Sequence, residues 1–224
     1  MAFEKLWSLS GRRRSRLIVA IDEANALEDV SSTLSKVEES AAGVKFGFPA
    51  LLTLGPDKMR SVMQEWKERF YFLADYKVAD IPHICGVILE QLKGLGFDGA
   101  TVHVFQRGIE GLDVFKAPEL VAVLAMSHRS PALDEGFEAN LAYAKAARIS
   151  GAVVGASKWR FIESAKRSGL VIFSPGVGAQ GSELGSALQK GADFEIVGRS
   201  IILSQDVRSA AEKAAEAHRR TLNL

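Results

Sequence analysis

One cysteine, four histidines and a net charge of only +1 among 224 residues close off several classes of protein at once. A lone thiol, Cys85, forms no internal disulfide and no cysteine metal cage, which fits a reducing, cytoplasmic setting. It reads as a small buried apolar side chain on a helix rather than a reactive nucleophile. His83 and His128 share no ligand spacing, so no metal is expected. The balance of 28 basic against 27 acidic residues gives no reason to expect nucleic acid or a membrane surface as the main partner. Apolar runs such as 120–126 fall far short of the ~20 residues that cross a bilayer. The basic cluster Gly11-Arg12-Arg13-Arg14-Ser15-Arg16 could open a signal peptide, but the apolar run behind it stops at Asp22 and Glu23.

What is present is alternation. Short β-rich runs at 16–22, 44–48, 71–77, 99–105, 121–127, 152–156, 170–174 and 194–198 read as eight strands, separated by segments of helical periodicity such as 26–42, 59–70 and 137–149. Shared among eight units, 224 residues give 28 each, the size of a strand, a crossover helix and two short loops. That favours an α/β fold of the (β/α)8 barrel type, in one domain spanning 16–224. Strand count alone leaves an open doubly wound sheet standing. The polar residues favour the barrel: Asp22, Lys45, Asp75 with Lys77, His103, Ser127, Ser157, Ser174 and Arg199 all fall at or near strand C-terminal ends, where barrel enzymes build their sites. Residues 1–15 read as a short extension, with Phe3, Leu6 and Trp7 on the barrel surface; an RNA-binding role is not assigned to its arginines.

The densest chemistry lies in Ala74-Asp75-Tyr76-Lys77-Val78-Ala79-Asp80-Ile81-Pro82. Asp75 and Lys77 are two apart and share a strand face, where charge is costly unless paired or used. Together with Asp22, Lys45 and Asp80 they make an alternating network of two ammoniums and three carboxylates. Such a network either closes the barrel top as a structural ion cluster or serves a reaction, with Lys77 as general acid. A second cluster, Ser174-Pro175-Gly176-Val177-Gly178-Ala179-Gln180-Gly181, is rich in glycines that let backbone N–H groups approach an anion. With Gly198 and the forked guanidinium of Arg199 beyond the eighth strand, it reads as a phosphate site. His103 is expected to fill the barrel interior, and His218 to sit on a solvated helix face.

These strings, with Ile21-Asp22, Val44-Lys45-Phe46-Gly47, Met126-Ser127-His128 and Val197-Gly198-Arg199-Ser200, resemble the orotidine 5′-phosphate decarboxylase family in its compact archaeal form. They occur in the family's order from about residue 16 to the last helix. The resemblance implies a homodimeric barrel that converts orotidine 5′-monophosphate to UMP and CO2 without a cofactor, the last step of de novo UMP synthesis. It further implies that Asp22 and Lys45 contact ribose hydroxyls, that Asp75 sits beside the substrate carboxylate and that Lys77 protonates C6. Ser127 would hydrogen-bond the pyrimidine and Gln180 would bridge base and phosphate. Pro175, Gly176, Val177 and Gly178 would line the substrate, Gly198 and Arg199 would hold the phosphate, and Asp80 and Ile81 would cross into the neighbouring subunit's site.

The D-x-K-x-x-D spacing is shared with Mg2+-dependent relatives, 3-keto-gulonate 6-phosphate decarboxylase and hexulose-6-phosphate synthase. These typically have an acidic residue where Lys45 stands, so Lys45 favours the nucleotide enzyme over them. A non-catalytic nucleotide-binding barrel is a further alternative, disfavoured by the presence of both lysines and three carboxylates. One departure is Ile84, where the family often has Thr, which removes a ribose-side hydroxyl from the partner subunit. The arginine-rich extension is not part of the family's motif set.

Overall fold

Leu17–Ile21 is five apolar residues without a break and is buried throughout, as a strand covered on both faces must be. It is β1 of eight parallel strands that close into a barrel in strict chain order. The computed structural model describes residues 2–22, 27–112, 116–178 and 181–223. β2 (Ala41–Gly47), β3 (Tyr71–Val78), β4 (Gly99–Val102) and β5 (Glu119–Ala125) follow, then β6 (Gly151–Val154), β7 (Val171–Pro175) and β8 (Phe194–Val197), which pairs back onto β1. Helices Glu4–Arg13, Leu27–Val37, Phe48–Trp66, Pro82–Leu95, Pro131–Glu135, Phe137–Ala146, Trp159–Arg167, Ser186–Gln189, Arg199–Ile202 and Val207–Leu222 are α1 to α10. None is long and apolar enough to cross a membrane.

Alternation along the strands divides the core in two. Leu17, Val19, Val44, Phe46, Phe72, Leu124 and Val154 face outward under the helices. Ile18, Ala20, Ala42, Tyr71, Leu73, Val121, Phe173 and Ile196 face inward. That inner set also includes Phe3, Leu6 and Leu9 of the amino-terminal segment. The first residues therefore do not lie along the barrel's outer surface: α1 sits beneath the strands and fills the floor. The Phe3 ring meets Tyr71 at 6.1 Å and Phe173 at 5.2 Å, edge on, and a Cβ at Gly151 would stand 2.7 Å from it. Polar contacts seat the same helix. Lys5 pairs with Asp98 at 2.7 Å, Phe3 N–H donates to Glu119, and Arg13 donates to the carbonyls of Ala41 and Arg69. Trp7 lies at the edge, with the Arg16 guanidinium 4.5 Å from its ring centroid.

Several boundaries differ from the periodicity, and helices expected to reach 42, 70 and 149 end at Val37, Trp66 and Ala146. Ala41 and Ala42, taken with the preceding helix, begin β2, because burial against α1 and the neighbouring strands outweighs alanine's helix propensity. β4 ends at Val102, and the chain then turns through left-handed Arg107 and Gly108, φ 63° and 81°. The helix expected from 59 starts earlier, at Phe48, and is kinked at Gly55, φ 75°, ahead of Pro56. His218 is not solvated. It is fully buried on α10, where Nδ1 accepts from Arg16 N–H and Nε2 faces Glu195 Oε2 at 2.9 Å. Glu195 also accepts from Gly185 and Ala187 N–H, so this pair ties α8 and α10 to β8.

If α1 is part of the core, Leu6→Ala lowers the unfolding free energy by about 2–5 kcal/mol, whereas Leu203→Ala, at an exposed position, changes it by about 0.5 or less. Urea denaturation measures both, and equal small effects would make α1 an appendage.

Candidate active site

Inward parity on β2 carries Gly43, where a Cβ would meet Ile18 and Leu6, to Lys45, and on β3 carries Tyr71 and Leu73 to Asp75. An apolar interior thus gives way to charge one layer below the mouth. Lys45, its side chain only 7% exposed, donates to Asp22 Oδ1 at 2.5 Å and to Asp75 Oδ2 at 2.9 Å. Lys77 Nζ lies 2.7 Å from the other oxygen of Asp75, Oδ1. Burial alone would push the Asp75 carboxyl up, but the two ammoniums overcome it and hold the group down at about 2. Burial likewise opposes the charge on Lys45, and Asp75 with Asp22 reverses this, leaving that ammonium above its ordinary range. A glycine precedes α3 for a steric reason: a Cβ at Gly47 would stand 2.4 Å from Asp22 Oδ1.

These groups line a cavity of about 240 Å³ at the strand C-terminal ends. Asp22, Lys45, Asp75, Lys77, Ser127, Pro175, Gly176, Val177, Gly198 and Arg199, all anticipated, lie around it. Three cations against two carboxylates leave the lining positive among the described residues, suited to an anionic ligand. Gly178 sits behind the wall with φ 78°, and Ser200 Oγ is 2.5 Å from where its Cβ would be, so the loops after β7 and β8 pack together. The turn closes on itself through Gly178 N–H to Ser182 O at 2.7 Å. Gln180 lies outside the described residues.

Other anticipated residues stand apart. Asp80 and Ile81 do not line their own chain's cavity: both are exposed, Ile81 at 64%. The Asp80 turn is held by Cys85, which accepts from Asp80 N–H at 3.3 Å and donates to its carbonyl at 3.2 Å. That buried thiol is structural. Ser174 donates to Val154 O and is buried, and His103 packs against Phe105 just past β4, outside the lining. Burial and the Lys77 charge both lower the His103 imidazole. Thr101 is a lining residue the motifs passed over. It sits inside an apolar run, and only its inward parity with Gly99 marks it. Among the described residues no group of three or more His, Cys, Asp or Glu is gathered to hold a metal ion. The two carboxylates at the cavity are both engaged by Lys45.

Residues 15–214 match the model of the orotidine 5′-phosphate decarboxylase / HUMPS family. The chain belongs to this family. The orotidine 5′-phosphate decarboxylase of Methanosarcina mazei is 32% identical, with 91% of this chain and 95% of that one covered. That of Aeropyrum pernix is 35% identical, over 92% and 89%. Among solved structures, orotidine 5′-monophosphate decarboxylase from Sulfolobus solfataricus superposes with a TM-score of 0.81 at 28% identity, covering 93% of this chain and 99% of that one. The Methanocaldococcus jannaschii enzyme, complexed with inhibitor BMP, gives 0.78 at 26%, over 91% and 98%. The family match begins after α1, so the floor helix lies outside the matched residues.

The depressed Asp75 carboxyl carries a pH signature. Its ion pairs stabilise the fold fully above the unfolded carboxyl's value of ~3.9, and that contribution, about 2 kcal/mol, is lost as pH falls towards about 2. Asp75→Asn should be less stable at neutral pH and should lose this part of the acid slope in pH-dependent denaturation. Parallel acid limbs in mutant and wild type would contradict the assignment.

Proposed function

We propose that this chain decarboxylates orotidine 5′-monophosphate to UMP and CO2, the last step of UMP synthesis, in the cytoplasm. The observation that carries the proposal is Lys45 at the cavity floor, sharing the Asp75 carboxylate with Lys77. The matched family also includes sugar-phosphate enzymes, and a lysine at this position favours the nucleotide reaction over theirs.

The chemistry sets the demand. Breaking the bond between C6 and the carboxylate releases neutral CO2 and leaves the electron pair in the plane of the ring, where no ring carbonyl delocalises it. Catalysis then has to be electrostatic. The Lys77 ammonium attracts the developing charge and delivers its proton to C6. Asp75 stays anionic at working pH, fixes Lys77 and stands against the substrate carboxylate. Asp22 and Lys45 take ribose hydroxyls, Ser127 the pyrimidine and Gln180 both base and phosphate. The loop of Pro175, Gly176, Val177 and Gly178, with Gly198 and Arg199, holds the phosphate, whose binding energy organises the reacting end. No metal or other cofactor enters.

The site is completed by a second copy. Ile81, Ile84 and Val87 form an exposed apolar stripe at the start of α4, beside an Asp80 that does not face its own cavity. A homodimer covers that stripe and brings Asp80 and Ile81 of the partner subunit to the cavity mouth. Ile84 supplies apolar contact in place of a hydroxyl.

With chelator present, added orotidine 5′-monophosphate should lose its orotate absorbance, and Lys77→Ala should lower turnover by about a thousandfold or more while UMP still binds. Chelator-sensitive turnover of ketose phosphates instead would support the Mg2+-dependent alternative. Mixing Asp80→Ala and Lys77→Ala chains should restore roughly a quarter of wild-type activity through heterodimers that hold one intact site. No rescue would mean that sites are not shared.

A further inference from the structure

β3 and β4 do not pair evenly. Ala74 faces Ala100 and Val78 faces Val102, so Asp75, Tyr76 and Lys77 stand opposite a single residue, Thr101. β3 therefore bulges at the charged motif, and Lys77 takes a left-handed backbone, φ 48°, which is costly for a residue with a Cβ. A bulge leaves backbone groups without ladder partners. Here the Lys77 N–H donates to Thr101 Oγ1 at 3.0 Å, and the same hydroxyl donates to Asp75 Oδ1 at 3.0 Å. Asp75 Oδ1 is also the oxygen that Lys77 Nζ approaches.

We propose that Thr101 is a positioning residue for the proton donor: its hydroxyl locks the bulge and aims Asp75 and Lys77 together into the cavity. The hydroxyl joins the backbone of the donor to the side chain of its carboxylate partner, and β-branching leaves Thr101 few rotamers in which to do so. It is fully buried and engages both motif residues, so its contribution lies in geometry rather than substrate contact. The proposal rests on Lys77 acting as the acid. Asp75 faces Lys45 from β2, Lys77 from its own strand and Thr101 from β4, with Tyr76 and His103 near enough to feel its charge.

The test compares Thr101→Val, which keeps the shape and loses the hydroxyl, with Thr101→Ser, which keeps the hydroxyl. Thr101→Val should lower kcat roughly ten- to a hundredfold while KM and UMP affinity change less than about threefold. It should also move the acidic limb of the kcat profile to higher pH, because the Asp75 carboxylate loses a donor. Thr101→Ser should recover most of the rate. Wild-type kcat and an unmoved limb in Thr101→Val, or a Thr101→Ser variant as slow as Thr101→Val, would overturn the proposal. Lys77→Ala measured alongside separates the two failures: if it keeps turnover, the assignment of the acid falls; if it is inactive while Thr101→Val is normal, only the role of Thr101 falls.

Discussion

A carboxylate held between two ammonium groups inside the barrel is the interaction on which the rest of the site depends. Taking Asp75 and Lys45 out of water costs several kcal/mol per ion unless each finds opposite charge at contact distance. Here each Asp75 oxygen has its own ammonium, Lys45 on Oδ2 and Lys77 on Oδ1, and Lys45 has a second carboxylate in Asp22. Three adjacent strands must be in register for that closure. The barrel is what supplies it: Gly47 of β2 lies beside Asp75 of β3, leaving room for Asp22 from the end of β1.

The expense is tolerable because the two ends of the barrel are built differently. At the floor, Phe3, Leu6 and Leu9 complete an apolar plug with Tyr71, Phe173 and Phe194. At the mouth, charge lines a cavity of about 240 Å³. Stability is concentrated below and strain above, the separation that lets barrel enzymes vary their loops without unfolding. Helix α1 strengthens the lower half specifically. Its Arg13 seats it on the carbonyls of Ala41 and Arg69, and Arg16, just beyond the helix, lies over Trp7.

Eight strands and most of the cavity lining were legible from the sequence because both follow from one-dimensional rules: short, largely unbroken apolar runs with a polar residue or a glycine at or near the end. Asp22, Lys45, Ser127 and Arg199 each announce themselves as polar residues at the end of such a run. What escaped depends on neighbours distant in sequence. His218 looks solvated in a basic, alanine-rich helix until Glu195 and Arg16 are placed against it. Ala41 and Ala42 fit a helix as well as a strand until β1 and α1 bury them. The floor helix could be read as amphipathic, but not as the barrel's plug. Thr101 is the sharpest case, since a β-branched residue in an apolar strand carries no mark of its use until the bulge opposite it is seen.

That bulge explains why the motif has the spacing it has. On an even strand, residues two apart project in parallel, and an aspartate and a lysine so placed each point straight into the interior. Two extra residues on β3 against β4 break the parallel: the left-handed turn at Lys77 folds its ammonium back onto Asp75 Oδ1, leaving Oδ2 free for Lys45. Left-handed backbone at a lysine costs of order 1–3 kcal/mol and persists only where surroundings impose it. The charge pair and the Thr101 hydroxyl are those surroundings. Local strain and buried charge, each unfavourable alone, hold one another in place: the bulge brings the ammonium to the carboxylate, and their attraction keeps the bulge from relaxing into a regular strand.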